Sequence, residues 1–250
     1  MGMITAWVKR LTTKLGFDIR RMPGPGHVSA DGGFQLVKPN ATYSPWNRDS
    51  TFQAAHAQIQ EATLVDVYRC WELWQLVEQS AKLSEGAVIE IGVWRGGTGA
   101  LIAQRAKQCG IRDPIYLCDT FTGVVKAGAN DTRYIGGEHA DTDRAAVERL
   151  LARMGCDGVR ILVGIFPDQT GSAVAEQRIR FCHVDVDVYQ SAKDILAWVW
   201  DRLVPGGIVV FDDYGFKGCE GVARLVEEHR SSHDRIVIHN LNGHAVMIRR

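Results

Sequence analysis

Four aspartates in the last third of the chain stand closest to chemistry: Asp185 and Asp187 in HVDVDVY, and Asp212 and Asp213 in FDDYG. Each pair follows an apolar run that reads as a buried strand. In a parallel sheet, successive strand ends meet at one edge, and ligands bind outside the carboxyl ends of the strands. Three or four carboxylates would then share one small space. Like charges that close raise one another's pKa unless something positive separates them. A hard divalent cation is the economical answer. Magnesium takes oxygen ligands in octahedral geometry and keeps open positions, whereas zinc would want His or Cys, which are sparse here apart from His183. Asp185, Asp212 and Asp213 are therefore the expected ligands of Mg2+ or another hard divalent cation. For any single aspartate at a strand end, capping of the following helix is the ordinary alternative.

A second run with chemical content is VIEIGVWRGGTGALIA, residues 88–103. A strand ends at Glu90 and Ile91, and Gly92, Gly96, Gly97 and Gly99 let the backbone turn tightly and approach a ligand before a helix begins. No Lys follows the glycines, so this is not the phosphate loop GxxxxGK[ST], and the spacing also departs from GxGxxG. Asp119 closes the next strand, PIYLCD, some 20 residues after Gly99, where an acidic side chain accepts hydrogen bonds from ribose hydroxyls. Loop and acid together imply an adenosine-type ligand. Taken singly, the glycines fit a plain strand–helix turn and Asp119 fits a helix cap.

Histidines and loop aromatics are weaker candidates. His139, in YIGGEHADTD, fits a lid over a ligand and a solvent-exposed loop equally well, and His183 on its apolar strand reads as a satisfied core histidine. Arg133, Tyr134, Tyr43, Trp46 and Arg48 are candidate acceptor contacts. Trp71, Trp74, Trp198 and Trp200 recur at helical spacings and are expected to pack in the core or an interface.

The elements that must position these residues follow from periodicity. AVIEI, PIYLCD, VRILVG, RFCHVDV and GIVVFDD read as strands, separated by the helical stretches ALIAQRAKQC, TDRAAVERLLARM and SAKDILAWVWDRL. That alternation is the signature of a mainly parallel sheet covered on both faces. DRIVIHNL and HAVMIRR form a terminal hairpin with Asn242-Gly243 at its turn, so the expected architecture is α/β, a mainly parallel seven-stranded sheet ending in an antiparallel hairpin. Ahead of it, 51–82 has helical periodicity and reads as a cap of one or two helices, 22–45 is a Pro- and Gly-rich loop, and 3–19 is an amphipathic helix that packs on the body or on a second subunit. The division expected is 1–82 for helix, loop or lid and cap, and 83–250 for the catalytic domain.

Bulk properties narrow the partners. Lys plus Arg equals Asp plus Glu, 29 each, so no net field recruits nucleic acid or an anionic membrane, and a small-molecule partner is favoured. No apolar run approaches a membrane span. Six cysteines scattered singly, with no leader pattern ahead of them, suit reduced thiols of a cytoplasmic protein.

GVWRGGTG, the DTF at 119–121, HVDVDVY and FDDYG together resemble the macrocin O-methyltransferase family, over a span from about Gln58 to the C-terminus. That family's enzymes methylate sugar hydroxyls of macrolide and aminocoumarin compounds in natural-product and antibiotic biosynthesis. The resemblance implies a Rossmann-like class I methyltransferase fold, S-adenosylmethionine as donor, magnesium as cofactor, a hydroxylated and glycosylated acceptor, and frequently a homodimer. The expected donor contacts are Glu90, Gly92, Val93, Trp94, Gly96, Thr98, Asp119, Thr120, Phe121 and Asp185. The family's metal aspartates fall on Asp185, Asp212 and Asp213, and its general base on Asp187. Between the first two aspartates family members usually carry a small residue, where this chain has Val186, a residue suited to a strand. The cation would orient and acidify the hydroxyl while Asp187 removes its proton. Asp187 as a helix cap or as a partner of Lys193 is the structural alternative. A catechol-type phenol O-methyltransferase and a non-catalytic nucleotide-binding relative stay open as other functions. A nicotinamide oxidoreductase is disfavoured by the missing GxGxxG and by the terminal hairpin.

Overall fold

The computed structural model describes residues 33–37 and 41–250. The helix expected over 3–19 and most of the loop over 22–45 lie outside the described residues. The chain divides into two units, Met1–Lys38 and Pro39–Arg250, and the second carries all the elements that follow.

The five apolar runs form strands β1 (Ala87–Ile91), β2 (Ile115–Asp119), β3 (Arg160–Val163), β4 (Ile179–Val184) and β5 (Leu203–Phe211). They pair in parallel, and β6 (Arg235–His239) and β7 (Ala245–Arg249) add an antiparallel hairpin beside β5. The strand order is β3-β2-β1-β4-β5-β7-β6, the expected seven-stranded architecture. Strands β1 and β4 are buried throughout, as the centre of a sheet covered on both faces requires. From β1 the chain winds outward through β2 and β3, then returns to β4 on the other side. This reversal opens a crevice at the carboxyl ends of β1 and β4.

Among the described residues, six α-helices cover the two faces: α1 (Ser50–Ile59), α2 (Val67–Ser80), α3 (Gly97–Gln108), α4 (Arg144–Arg153), α5 (Tyr189–Trp200) and α6 (Glu220–Glu228). Helix α2 starts where Asp66 accepts hydrogen bonds from the Tyr68 and Arg69 amides, a side-chain N-cap. Its buried stripe, Cys70, Leu73, Trp74 and Val77, repeats at steps of three and four and packs with α1 and α3 on one face of the sheet. Helices α5 and α6 cover the other face through Ile195, Val199, Val222 and Leu225. Trp74 and Trp200 are buried, and Trp71 and Trp198 pack edge-on against Phe52 and Phe166, so all four tryptophans serve packing. No helix among the described residues is long and apolar enough to cross a membrane.

Two details differ from the sequence expectation. Helix α6 falls on EGVARLVEE, whose few apolar residues in a polar background form a one-sided stripe too short to stand out from loop. The hairpin turn is not a two-residue Asn-Gly loop with both residues at positive φ. His239 pairs with Ala245, the Asn240 amide donates to the His244 carbonyl, and the loop is 241–243 with only Gly243 at positive φ, 113°. The Asn242 side chain accepts from the His244 amide, the local bonding that favours asparagine in turns.

The crevice depends on one glycine. Gly92 has φ of 88°, and a Cβ there would sit 1.6 Å from the Asp185 carbonyl oxygen, so only glycine lets the β1 and β4 ends lie this close. Gly92→Ala is expected to lower the unfolding free energy by roughly 2–5 kcal/mol through strain plus overpacking. Urea unfolding measures this, and a change under about 1 kcal/mol would show that the two loops can part without cost.

Candidate functional site

A cavity of about 340 Å³ opens at the carboxyl ends of β1, β2, β4 and β5. Its lining brings together the glycine-loop residues and the aspartates that the sequence singles out.

One half is built on Asp119. Its Oδ2 accepts the amides of Val93 and Trp94 at 2.6 and 2.8 Å, and its Oδ1 accepts the amide of Phe121 at 2.6 Å. The side chain thus ties the glycine loop to the end of β2, while Oδ1 keeps a lone pair for a further donor. Gly96, at φ 87°, caps α3 in the left-handed conformation. Of the ten expected donor contacts, Gly92, Val93, Trp94, Thr98, Asp119, Thr120 and Asp185 line the cavity. Glu90, Gly96 and Phe121 do not. Glu90 is fully buried and its carboxylate meets His183 Nδ1 at 2.8 Å, behind the loop instead of in the cavity. A Cβ at Gly99 would lie 2.4 Å from Glu90 Oε2, so that glycine makes room for the pair.

The other half is the acid cluster. Val184 pairs with Phe211 in register, so the next residues, Asp185 and Asp212, emerge side by side. Carboxylate oxygens of Asp185, Asp212 and Asp213 all lie within 4.8 Å of one another. A hard cation in octahedral coordination holds oxygens about 2.1 Å from itself, hence roughly 3 Å apart along an edge, and this donor set fits such an ion. Asp187, at φ 65°, donates its amide to Asp213 Oδ2 at 2.8 Å, and its carboxylate hydrogen-bonds the buried Tyr134 hydroxyl.

Their charge states diverge. Burial, then the neighbouring carboxylates, push Asp185 and Asp213 well above the carboxylate range, and burial raises Asp187 as well. Asp212 is buried too, yet His183, His244 and Arg69 outweigh that penalty and hold it below the usual range. Arg69 Nη1 pairs with Asp212 Oδ2, His244 Nε2 lies 2.9 Å from Oδ1, and His183 Nε2 lies 3.5 Å from the same oxygen. Each histidine also has a carboxylate at its far nitrogen, Glu90 at 2.8 Å from His183 Nδ1 and Glu72 at 2.7 Å from His244 Nδ1. The result is a buried chain of alternating charge, Glu90–His183–Asp212–His244–Glu72.

Several of these residues escape the sequence reading. The expectation that nitrogen and sulfur donors are sparse near the aspartates is incorrect: His183 and His244 flank Asp212, and the Cys219 thiol lies 3.8 Å from Asp187 Oδ1. His183 is a buried core histidine, as expected, but one aimed at the site. Arg69 carries the one available signal, a charge four and eight residues before Leu73 and Val77, on the buried stripe of α2. His244 carries none, since its approach to Asp212 depends on the β5–β7 pairing. His139 and Arg133 line the cavity with Tyr134, and His139 faces Tyr134 and Trp94 at ring separations of 6.0 and 6.4 Å. The loop bearing them is fastened to the glycine loop through Asp141, which pairs with Arg95 and accepts from the Trp94 indole. Tyr43, Trp46 and Arg48 are not in the lining, and Tyr43 is exposed.

The chain of charges predicts a pH signature of stability. Burial alone would lower His183, but the adjoining Asp212 and Glu90 carboxylates raise it from 6.5 to about 10, and His244 is raised by Asp212 and Glu72 against its own burial. A folded-state pKa above the unfolded value means the contribution is complete below about pH 6.5 and is lost as pH rises toward 10. The unfolding free energy should therefore fall across this window, by up to about 1.4 kcal/mol per pH unit for each proton. Denaturant unfolding of His183→Gln should show a shallower slope than the native chain. Equal slopes would mean that His183 is not the titrating group.

A family model described as Macrocin-O-methyltransferase (TylF) matches residues 40–250. Mycinamicin III 3''-O-methyltransferase of Micromonospora griseorubida is 32% identical over 184 residues, covering 68% of this chain and 71% of that protein. The 8-demethyl-8-(2,3-dimethoxy-alpha-L-rhamnosyl)-tetracenomycin-C 4'-O-methyltransferase of Streptomyces olivaceus is 32% identical over 144 residues, 54% of this chain and 55% of that protein. Among solved structures, the O-methyltransferase NovP superposes with a TM-score of 0.64 at 23% identity, over 75% of this chain and 82% of that one, a likeness of fold. The family match spans the glycine loop, Asp119 and the acid cluster alike, and by it the chain belongs to the macrocin O-methyltransferase family, as an S-adenosylmethionine-dependent O-methyltransferase.

Proposed function

We propose that this enzyme methylates a sugar hydroxyl of a small-molecule natural product, with a divalent cation held by Asp185, Asp212 and Asp213 and with Asp187 as general base. The observation that carries the reading is that the acid cluster and the glycine loop with Asp119 face one cavity, so that donor, ion and acceptor can meet there. The name of one similar protein, which specifies a rhamnosyl tetracenomycin as what it methylates, supports a sugar acceptor.

A bound cation would supply the positive charge that lets the crowded carboxylates ionise together, and would acidify an acceptor hydroxyl beside them. The remaining work falls to side chains of this chain. Gly92 to Trp94, Thr98 and Asp119 hold the donor, the carboxylate facing its ribose. Asp187 stays partly open to the cavity, and its orientation is set from two sides, by Asp213 on its amide and Tyr134 on its carboxylate. Its basicity is raised by burial, which suits a proton acceptor working near neutral pH. As the acceptor oxygen attacks the methyl carbon in line, the new C–O bond forms, the C–S bond breaks, and the hydroxyl proton passes to Asp187. The products are the methyl ether and S-adenosylhomocysteine. The Tyr134 and His139 loop borders the cavity, where it shields the reaction from water.

Asp187→Asn should lower kcat by about 10²–10⁴-fold while leaving calorimetric affinity for S-adenosylmethionine within the native range. Near-normal turnover would refute the base assignment, and a small defect would favour a phenolic acceptor, whose proton leaves more readily. Methylation assays over glycosylated natural products should lose activity on chelation and regain it with added Mg2+. Activity indifferent to the chelator would overturn the role of the cation.

A further inference from the structure

Asp212 is the most fully held of the three expected ligand aspartates. Among the described residues no hydrogen bond reaches the Asp185 carboxylate, and Asp213 takes only the Asp187 amide and a long contact from the Cys219 thiol. Asp212 is gripped at both oxygens, by Arg69 on Oδ2 and by His244 on Oδ1 at 2.9 Å. Both grips trace back to α2. Arg69 reaches Asp212 directly, and Glu72, one turn later on the same helix, reaches it through the imidazole of His244.

Glu72 is itself fixed. Its Oε2 meets His244 Nδ1 at 2.7 Å and accepts the Asn242 side-chain amide at 2.6 Å, and its Oε1 accepts the Asn240 side-chain amide. Three side chains of the β6–β7 turn thus converge on one carboxylate of the cap helix. The imidazole they orient is fully buried.

We propose that Glu72 and His244 are positioning residues for cation binding: Glu72 orients His244, and His244 sets the Asp212 carboxylate in the direction a shared ion requires. The inference rests on the metal reading above and adds residues from the cap helix and the terminal hairpin to it. A ligand carboxylate steered by a histidine and a second carboxylate needs no reorientation when the ion arrives, and losing such outer partners typically weakens metal affinity about 10–100-fold. Arg69 lies against the same carboxylate, so without His244 the ion pair would draw Asp212 toward α2.

The test uses Mn2+ titrations of the full chain, read by electron paramagnetic resonance of the free ion, with calorimetry of S-adenosylmethionine as the control. His244→Ala should weaken Mn2+ binding about 10–100-fold, and Glu72→Ala about 10-fold, with donor affinity unchanged. His244→Gln, whose amide N–H can still donate to Asp212, should recover most of the loss. Native-like Mn2+ affinity in both alanine variants overturns the inference alone. A native chain that binds no Mn2+ overturns the metal reading and this inference with it. Should His244→Ala fail to fold, Glu72→Ala, altered nearer the surface, decides by the same criterion. Parallel loss of Mn2+ and donor binding in that variant assigns the pair a structural role and overturns the proposal.

Discussion

Repulsion among four carboxylates at the ends of two adjacent strands is the constraint around which the rest of this structure is arranged. Asp185 and Asp187 follow β4, Asp212 and Asp213 follow β5, and the register of those strands leaves no choice about their proximity. Two like charges about 4 Å apart cost about 4 kcal/mol at the effective dielectric of a protein surface, more than a typical hydrogen bond returns. The chain meets that cost unevenly. Asp212 is kept ionised by Arg69 and two histidines, while Asp185 and Asp213 are displaced toward their neutral forms. A site with one committed anion and two that ionise when a positive charge arrives is suited to a divalent ion.

The same constraint explains why elements outside the parallel sheet take part. Arg69 and Glu72 come from α2, and His244 is the residue immediately before β7. Burying three cations and three carboxylates in alternation sets charge against charge, which a buried network must do to avoid destabilising the fold, although within it Glu90 Oε2 and His183 Nε2 are left without a hydrogen bond. The cap helix and the terminal hairpin are therefore electrically part of the site, although neither belongs to the strands that carry the aspartates.

On the donor side the organising device is smaller. Asp119 collects three backbone amides, and Gly92 permits the β1 and β4 loops to touch. These contacts bring the glycine loop and the acid cluster into the lining of one cavity, so that a methyl group and an oxygen nucleophile can be aligned by rigid elements.

Much of this was legible in the residues themselves. Among the described residues, periodicity marked all seven strands and every α-helix but α6, and the turn residues marked the hairpin, because these depend on local backbone preference and on which faces are apolar. The aspartates and the glycine loop were legible because parallel sheets bind ligands at strand ends, so their place in the sequence already implied their meeting. Glu90, expected among the donor contacts, turns its carboxylate to the buried His183, a partner that a strand's alternation does not reveal. Arg69, Glu72, Tyr134 and His244 join the site across sequence separations of 32–172 residues. Their roles follow from how α2, the loop and β7 dock on the sheet. Sequence alone determined which strand ends carry the charge. Only the tertiary structure decided which of those charges is neutralised and held, because electrostatic partnership depends on distance through space.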